Sequence, residues 1–127
     1  MNQHLFVLTG ASRGMGAAMA MQLLSPAHEL LCMSRHDNAA LATHASQLKA
    51  RLTQYKLDLA QGGDAADQLA TWLAGHDPSA FDSATLINNA GVILGVAPVY
   101  AVKGDDLTRS VRVGLEAPML LTSAFLR

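Results

Sequence analysis

The chain has 127 residues, half of them hydrophobic, with a net charge of −1, one cysteine and only 5% aromatic residues. That length supports one compact domain with a real core and is too short for two. Scattered basic residues, near-neutral charge and few aromatics argue against a nucleic-acid partner, a membrane surface or a base-stacking platform.

In chain order, His4-Leu5-Phe6-Val7-Leu8 reads as a first strand. Thr9-Gly10-Ala11-Ser12-Arg13-Gly14-Met15-Gly16 follows as a glycine-rich turn, and a small-residue helical pattern takes over at Ala17. Strand, glycine turn and helix in that order make a phosphate-binding corner. The glycines let backbone N–H groups approach an anion, and the helix adds unpaired N–H groups and the positive end of its dipole. Gly10 is expected to take the tight turn, Gly14 to leave room for a pyrophosphate, and Gly16 to let the helix pack close to the strand. The spacing is G-x-x-x-G-x-G, not the usual dinucleotide fingerprint G-x-G-x-x-G, and no Gly-Lys-Ser/Thr follows to make a P-loop. Taken alone, the turn is also compatible with a purely structural role.

Glu29-Leu30-Leu31-Cys32-Met33-Ser34 reads as a second strand, apolar without alternation, which suits a strand covered on both faces. Cys32 in that run is expected to be a buried structural thiol, and as the single cysteine it has no internal disulfide partner. Asp37 or Asn38 caps a helix over roughly 39–49. Residues 51–58 read as a third strand ending at Asp58-Leu59, Gly62-Gly63 as a turn, and Asp64 or Ala65 as the start of a helix ended by Gly75 and Pro78. Residues 83–88 form a fourth strand, followed by Asn89-Ala90-Gly91. Past a small-residue loop containing Pro98, Asp105 or Asp106 caps a last helix, with Leu107, Val111, Leu115, Met119 and Leu120 on one face.

Strand and helix alternate four times, which predicts an α/β doubly wound parallel sheet with right-handed crossovers. In such sheets ligands lie beyond the carboxyl ends of the strands, where strand order reverses. Thr9-Gly10, Ser34-Arg35, Asp58-Leu59 and Asn88-Asn89-Ala90-Gly91 fall at those four ends. Their agreement outweighs the glycine turn alone and points to a binding site.

The turn at residues 9–16, Asp58-Leu59 and Asn88-Asn89-Ala90-Gly91 together resemble the short-chain dehydrogenase/reductase family in order and spacing. The resemblance runs over residues 2–127 and takes in the N-terminal half of the family's usual domain. It implies an NADP-binding Rossmann half-domain over residues 1–127, with four strands in the order 3-2-1-4. The tail Val113-Gly114-Leu115-Glu116-Ala117-Pro118-Met119-Leu120-Leu121-Thr122 looks like the sepiapterin- and benzil-reductase branch.

The resemblance implies a nicotinamide-dependent oxidoreductase acting on a carbonyl or alcohol. Gly10, Ala11, Ser12, Arg13, Gly14, Met15 and Gly16 would hold the pyrophosphate and adenosine ribose, with Met15 beside the pyrophosphate. Asp58 would accept from the adenine amino group, with the Leu59 backbone beside the ring. Asn88, Ala90 and Gly91 would pack under the riboses and tie the fourth strand to its neighbours. Asn88-Asn89 also reads as a turn satisfied by side-chain-to-backbone bonds.

An acid ending the second strand would bond the 2′-hydroxyl of NAD and repel a 2′-phosphate. Ser34 and Arg35 stand there instead, with Arg13 in the glycine turn, and two guanidinium groups can converge on one phosphate. NADP is therefore the expected cofactor and NAD the alternative. Asp37 lies too far past the strand to be the ribose acid, and a plain surface charge is the other reading of Arg35.

The chain departs from the family where the proton donor belongs. The family uses Tyr-x-x-x-Lys, a serine on strand five and an asparagine in helix four. Neither Tyr55 nor Tyr100 has a lysine four residues on, and the asparagine position aligns with Gly114. Without a tyrosine whose pKa a lysine lowers, the alkoxide left by hydride transfer has no donor. No catalytic residue is assigned, and the expectation is a cofactor-binding half or truncated gene product, inactive alone. A small carbonyl or alcohol substrate is expected only with the missing half present. The fourth strand would then lie at an edge, which predicts self-association.

An inactive dinucleotide-binding or interaction module is the competing reading, favoured by Gly114. Another nucleotide-binding α/β domain, such as a methyltransferase, is disfavoured by the lack of an acid ending the second strand and by Asn88-Asn89-Ala90-Gly91. No histidine pair has metal-ligand helical spacing with an acid between, so no metal is expected. Gly10, Ser12 and Arg13 interrupt the N-terminal apolar run, so neither a signal peptide nor a membrane span is expected, and a cytoplasmic location is.

Overall fold

The computed structural model describes residues 3–91 and 98–126. Residues 92–97 of the expected small-residue loop and Arg127 lie outside the described residues. Strands β1 (His4–Thr9), β2 (His28–Ser34), β3 (Arg51–Lys56) and β4 (Ser83–Ile87) form one parallel sheet in the order β3-β2-β1-β4. Between them run α1 (Gly14–Leu23), α2 (Ala39–Leu48) and α3 (Gly62–Ala74). After β4 come α4 (Gly104–Val111), a π-helical segment (Arg112–Glu116) and α5 (Ala117–Phe125).

The unbroken apolar runs of β1 and β2 reflect burial on both faces. Leu5, Val7, Leu31 and Met33 point into a core shared with Leu69 and Trp72 of α3, Val113, and Ala117 and Leu121 of α5. Leu8, Leu30 and Cys32 alternate with them into a second core, with Ala20 of α1 and Leu41 and Ala45 of α2. Burial pushes the Cys32 thiol up to about 12, so it is an inert packing group at neutral pH.

Strand register decides where a site can form. Thr9 lies opposite Met33, Met33 opposite Tyr55, and Leu8 opposite Ile87. The four strands therefore end nearly level, and the segments after Thr9, Ser34, Lys56 and Ile87 emerge along one edge. At the other end, Glu29 joins the starts of β2 and β3 to the end of α3. Its Oε1 is 2.8 Å from His76 Nε2, and its Oε2 is 3.4 Å from Arg51 Nε.

Two helices differ from the sequence expectation. Gly62-Gly63, expected as a turn, is the first turn of α3. Gly62 is buried where α3 crosses α5: a Cβ there would lie 3.2 Å from the Ala117 Cα and from Leu120 Cδ1. The close crossing, not turn geometry, accounts for that glycine. The last helix also buries a different face. Val113, Ala117 and Leu121 are buried, whereas Val111, Leu115 and Met119 are more than half exposed and Leu120 is 37% exposed. A small residue is needed to meet Gly62 at that distance, and Ala117 provides it, so its row turns inward. The start is at Gly104 with Lys103 as N-cap, and neither Asp105 nor Asp106 caps it. The helix departs from α geometry at the π segment, where the Ala117 N–H donates to the Arg112 carbonyl five residues back.

The crossing generates a paired prediction. Gly62→Val overpacks the α3–α5 contact and should lower unfolding stability by ~1–3 kcal/mol. Gly63→Ala, with nothing within 4 Å of its Cβ, should raise it by ~0.5–1 kcal/mol through helix propensity. Urea unfolding of both variants measures the contrast.

Candidate functional site

The site grows from the end of β1. Gly10 has φ +73°, and its N–H donates to the Met33 carbonyl of β2 at 3.0 Å. Gly16, in the first turn of α1, has no room for a side chain: a Cβ would run into the Gly10 carbonyl and lie 2.5 Å from Asn89 Nδ2. The helix therefore starts directly against the strand end. Gly14, with φ +61°, faces open space, with nothing within 4 Å of where a Cβ would stand.

Side chains from β2, α2 and β4 fasten this corner. The Ala11 N–H donates to Ser34 Oγ at 2.7 Å, and Ser34 is only 7% exposed. Asn38 Nδ2 donates to the Ala11 carbonyl at 3.3 Å, while its Oδ1 accepts from Leu41 N–H and caps α2. Gln54 of β3 holds Asn38 in turn, accepting from its N–H at 2.8 Å and donating to its carbonyl at 3.1 Å. Of Asp37 and Asn38, the cap is Asn38.

On the opposite side, the buried Thr9 Oγ1 accepts from the N–H groups of both Asn89 and Ala90 at 3.0 Å. Asn89 Nδ2 donates to the Thr9 and Gly10 carbonyls at 3.2 Å each. Asn89 and Ala90 thus tie β4 to β1. Asn88 is exposed, with Nδ2 3.4 Å from Thr122 Oγ1 of α5, and Gly91 is exposed beside it.

Arg13 is the N-cap residue of α1, extended in backbone, and no side chain caps that helix or places an acid in its first turn. Ser12 is half-buried, whereas Arg13, Met15 and Arg35 are exposed. Among the described residues neither Arg13 nor Arg35 makes an ion pair. The corner thus offers unpaired helix N–H groups, an open main-chain face and two cations, a combination suited to an anion.

Beyond β3, Asp58 is held by three donors. Its Oδ1 accepts from the Ala60 N–H at 2.9 Å and from Arg109 Nη2 at 3.1 Å, and its Oδ2 from Arg109 Nη1 at 3.0 Å. The Arg109 fork first, then the Ala60 amide, hold the Asp58 carboxyl below its ordinary value, and the Arg35 charge acts in the same direction. Leu59 turns its side chain into the core.

The sequence placed Thr9 in the glycine turn, Asn38 as a possible helix cap and Asn89 in a turn with side-chain-to-backbone bonds, as the structure has them, but not their role in fastening the corner, and it did not find Arg109. The first three are polar residues in or flanking motif positions, and that proximity was a usable signal. Arg109 lies 51 residues from Asp58, and nothing local in the sequence marks the pair. Among the described residues no group of three histidine, cysteine or acidic side chains is placed to hold a metal, and no helix is long and apolar enough to cross a membrane.

A parallel sheet wound on both faces, with its glycine corner beside the point where strand order reverses between β1 and β4, defines a Rossmann-type α/β domain. The chain belongs to the short chain dehydrogenase family, which it matches over residues 4–127. It is 35% identical over 121 residues to a benzil reductase ((S)-benzoin forming) of Bacillus subtilis (strain 168), covering 95% of this chain and 47% of that protein. A benzil reductase of Bacillus cereus is 30% identical over 121 residues, covering 95% and 49%. A metagenomic short-chain oxidoreductase solved in complex with NADP superposes with a TM-score of 0.83 at 29% identity, covering 98% of this chain and 55% of that one. The chain thus spans about half the length of the relatives it matches.

The Ser34 contact makes a test of the corner. Ser34→Ala leaves the Ala11 N–H without its acceptor in a buried place, which should cost ~1–3 kcal/mol. Hydrogen exchange should show the Ala11 amide losing protection while core amides of β2 keep theirs.

Proposed function

We propose that the carboxyl edge of the sheet binds NADP, and that the chain is the cofactor-binding half of a cytoplasmic oxidoreductase that moves a hydride between the nicotinamide and a carbonyl or alcohol. The observation that carries this reading is the β1–α1 corner, with its uncapped helix start, the open face at Gly14, and Arg13 and Arg35, which make no ion pair among the described residues. The NADP complex of a structural relative supports it. In this reading Gly10, Ala11, Ser12, Gly14, Met15 and Gly16 hold the pyrophosphate, and Ser34, Arg35 and Arg13 receive the 2′-phosphate. Asp58 and Leu59 meet the adenine, and Asn88, Ala90 and Gly91 floor the riboses. Bound there, the nicotinamide supplies or accepts the hydride. The residues of this chain bind and orient it.

Proton handling is a separate matter. Tyr55 packs against the core from β3, Tyr100 is 91% exposed, and neither precedes a lysine at four-residue spacing. We infer that carbonyl reduction needs the part of the relatives' length that these residues do not span. Benzil, the substrate named for the Bacillus relatives, is the first carbonyl to try. The second reading is an inactive dinucleotide-binding or interaction module. It is favoured by Gly114, which stands exposed in the π segment without a side chain to offer.

Calorimetric titration tests the reading. NADPH should bind at least ~10-fold more tightly than NADH, a difference of ~1.4 kcal/mol. Arg35→Ala should reduce that preference, the Arg13/Arg35 double alanine variant should abolish it, and both should leave NADH binding nearly unchanged. Equal affinity for the two dinucleotides would overturn the 2′-phosphate reading, and tighter NADH binding would favour NAD. NADPH oxidation with benzil should be negligible for the 127-residue chain, and ordinary turnover would overturn the half-enzyme reading.

We also propose that the chain self-associates, because among the described residues β4 is paired on one side only. Sedimentation velocity should show a species larger than a 13.4 kDa monomer.

A further inference from the structure

The Asp58–Arg109 pair joins two places that sequence keeps far apart, the segment just past β3 and the last turn of α4. It is a planar fork-to-fork contact, and Arg109 is only 31% exposed while Asp58 remains 41% exposed. An ionised carboxylate offers about four lone-pair sites. Ala60 and Arg109 Nη2 take both on Oδ1, and Arg109 Nη1 takes one on Oδ2. One acceptor site remains, on Oδ2, and the fork fixes the carboxylate plane that carries it. Beside the pair lies a cleft of about 350 Å³, bordered also by Gln61, Asp105, Thr108 and Arg112. Both partners are therefore reachable by a ligand arriving at the strand ends.

We propose that Arg109 is a positioning residue for the adenine end of the cofactor. Its guanidinium locks the Asp58 carboxylate so that the single remaining Oδ2 lone pair receives the exocyclic amino group. This rests on the dinucleotide reading above. It predicts specificity for adenine over a purine carrying a carbonyl at the same place, since a carbonyl oxygen facing a fixed carboxylate oxygen brings two acceptors together. An unfixed carboxylate turns its lone pairs to water and discriminates poorly.

The test compares NADPH with its hypoxanthine analogue, which replaces the amino group by a carbonyl, on the 127-residue chain. Wild type should prefer NADPH by ~10-fold, the scale of one charge-assisted hydrogen bond. Arg109→Leu should weaken NADPH binding ~5–10-fold, leave the analogue nearly unchanged and reduce the preference to less than ~2-fold. Arg109→Lys, a point charge without the fork, should recover about a third of the preference. Circular dichroism melts check that each variant is folded. A parallel loss of both dinucleotides in Arg109→Leu, or retention of the full preference, would overturn the positioning role while leaving the dinucleotide reading intact. Binding of neither dinucleotide by wild type would overturn that reading and this inference with it.

Discussion

The main chain at Gly10 is pressed between the first turn of α1 and the Asn89-Ala90 segment, and the whole carboxyl edge of the sheet is arranged around that crowding. A Cβ at Gly10 would lie 2.9 Å from the Ala90 Cα, and one at Gly16 would lie 2.8 Å from the Gly10 carbonyl carbon. Such spacing leaves no room for water, so the peptide groups just past the strand ladder must find partners within the protein. Thr9 Oγ1, Ser34 Oγ and the Asn38 and Asn89 carboxamides supply them. Each such bond contributes only ~1 kcal/mol net, yet leaving its buried partner unmade costs more. Crowding and polar fastening are thus two aspects of one constraint, and together they hold α1 with its N-terminus at the strand end.

Much of this was legible in the sequence, for physical reasons. Continuous apolar runs such as Leu30-Leu31-Cys32-Met33 have one comfortable place in an α/β chain, a strand buried on both faces. The glycines at 10, 14 and 16 announced backbone geometry that side chains forbid. The alternating pattern predicted a parallel doubly wound sheet, and the order β3-β2-β1-β4 is the one the family resemblance implied.

The failures share a cause as well. Gly62 resembles a turn glycine until its neighbour Ala117, far along the chain, is known to pass within touching distance. The last helix carries apolar residues on more than one face, and periodicity favoured the bulkier Leu107–Val111–Leu115 row. Packing selected Val113, Ala117 and Leu121, because only a row containing a small residue fits a helix crossing made through glycine. Which of two apolar faces is buried depends on the surface opposite, and a single helix's sequence does not contain that surface.

The same crossing bears on the electrostatics at the far edge of the sheet. Arg35 and Arg109 are chemically identical cations near one acid, but their environments separate them. Arg109 is fixed on Asp58 by two hydrogen bonds, whereas Arg35 acts on Asp58 through its field and, among the described residues, makes no ion pair. A fork already matched to a carboxylate has little left for a phosphate, so of the cations near the β1–α1 corner it is Arg35 and Arg13, not Arg109, that are placed to take one. That division depends on where α4 sits. The helix reaches Asp58 because the π segment and α5 that continue it are seated on α3 through Gly62 and Ala117. A contact between two small residues on one side of the sheet thus helps decide which arginine is neutralised at its edge.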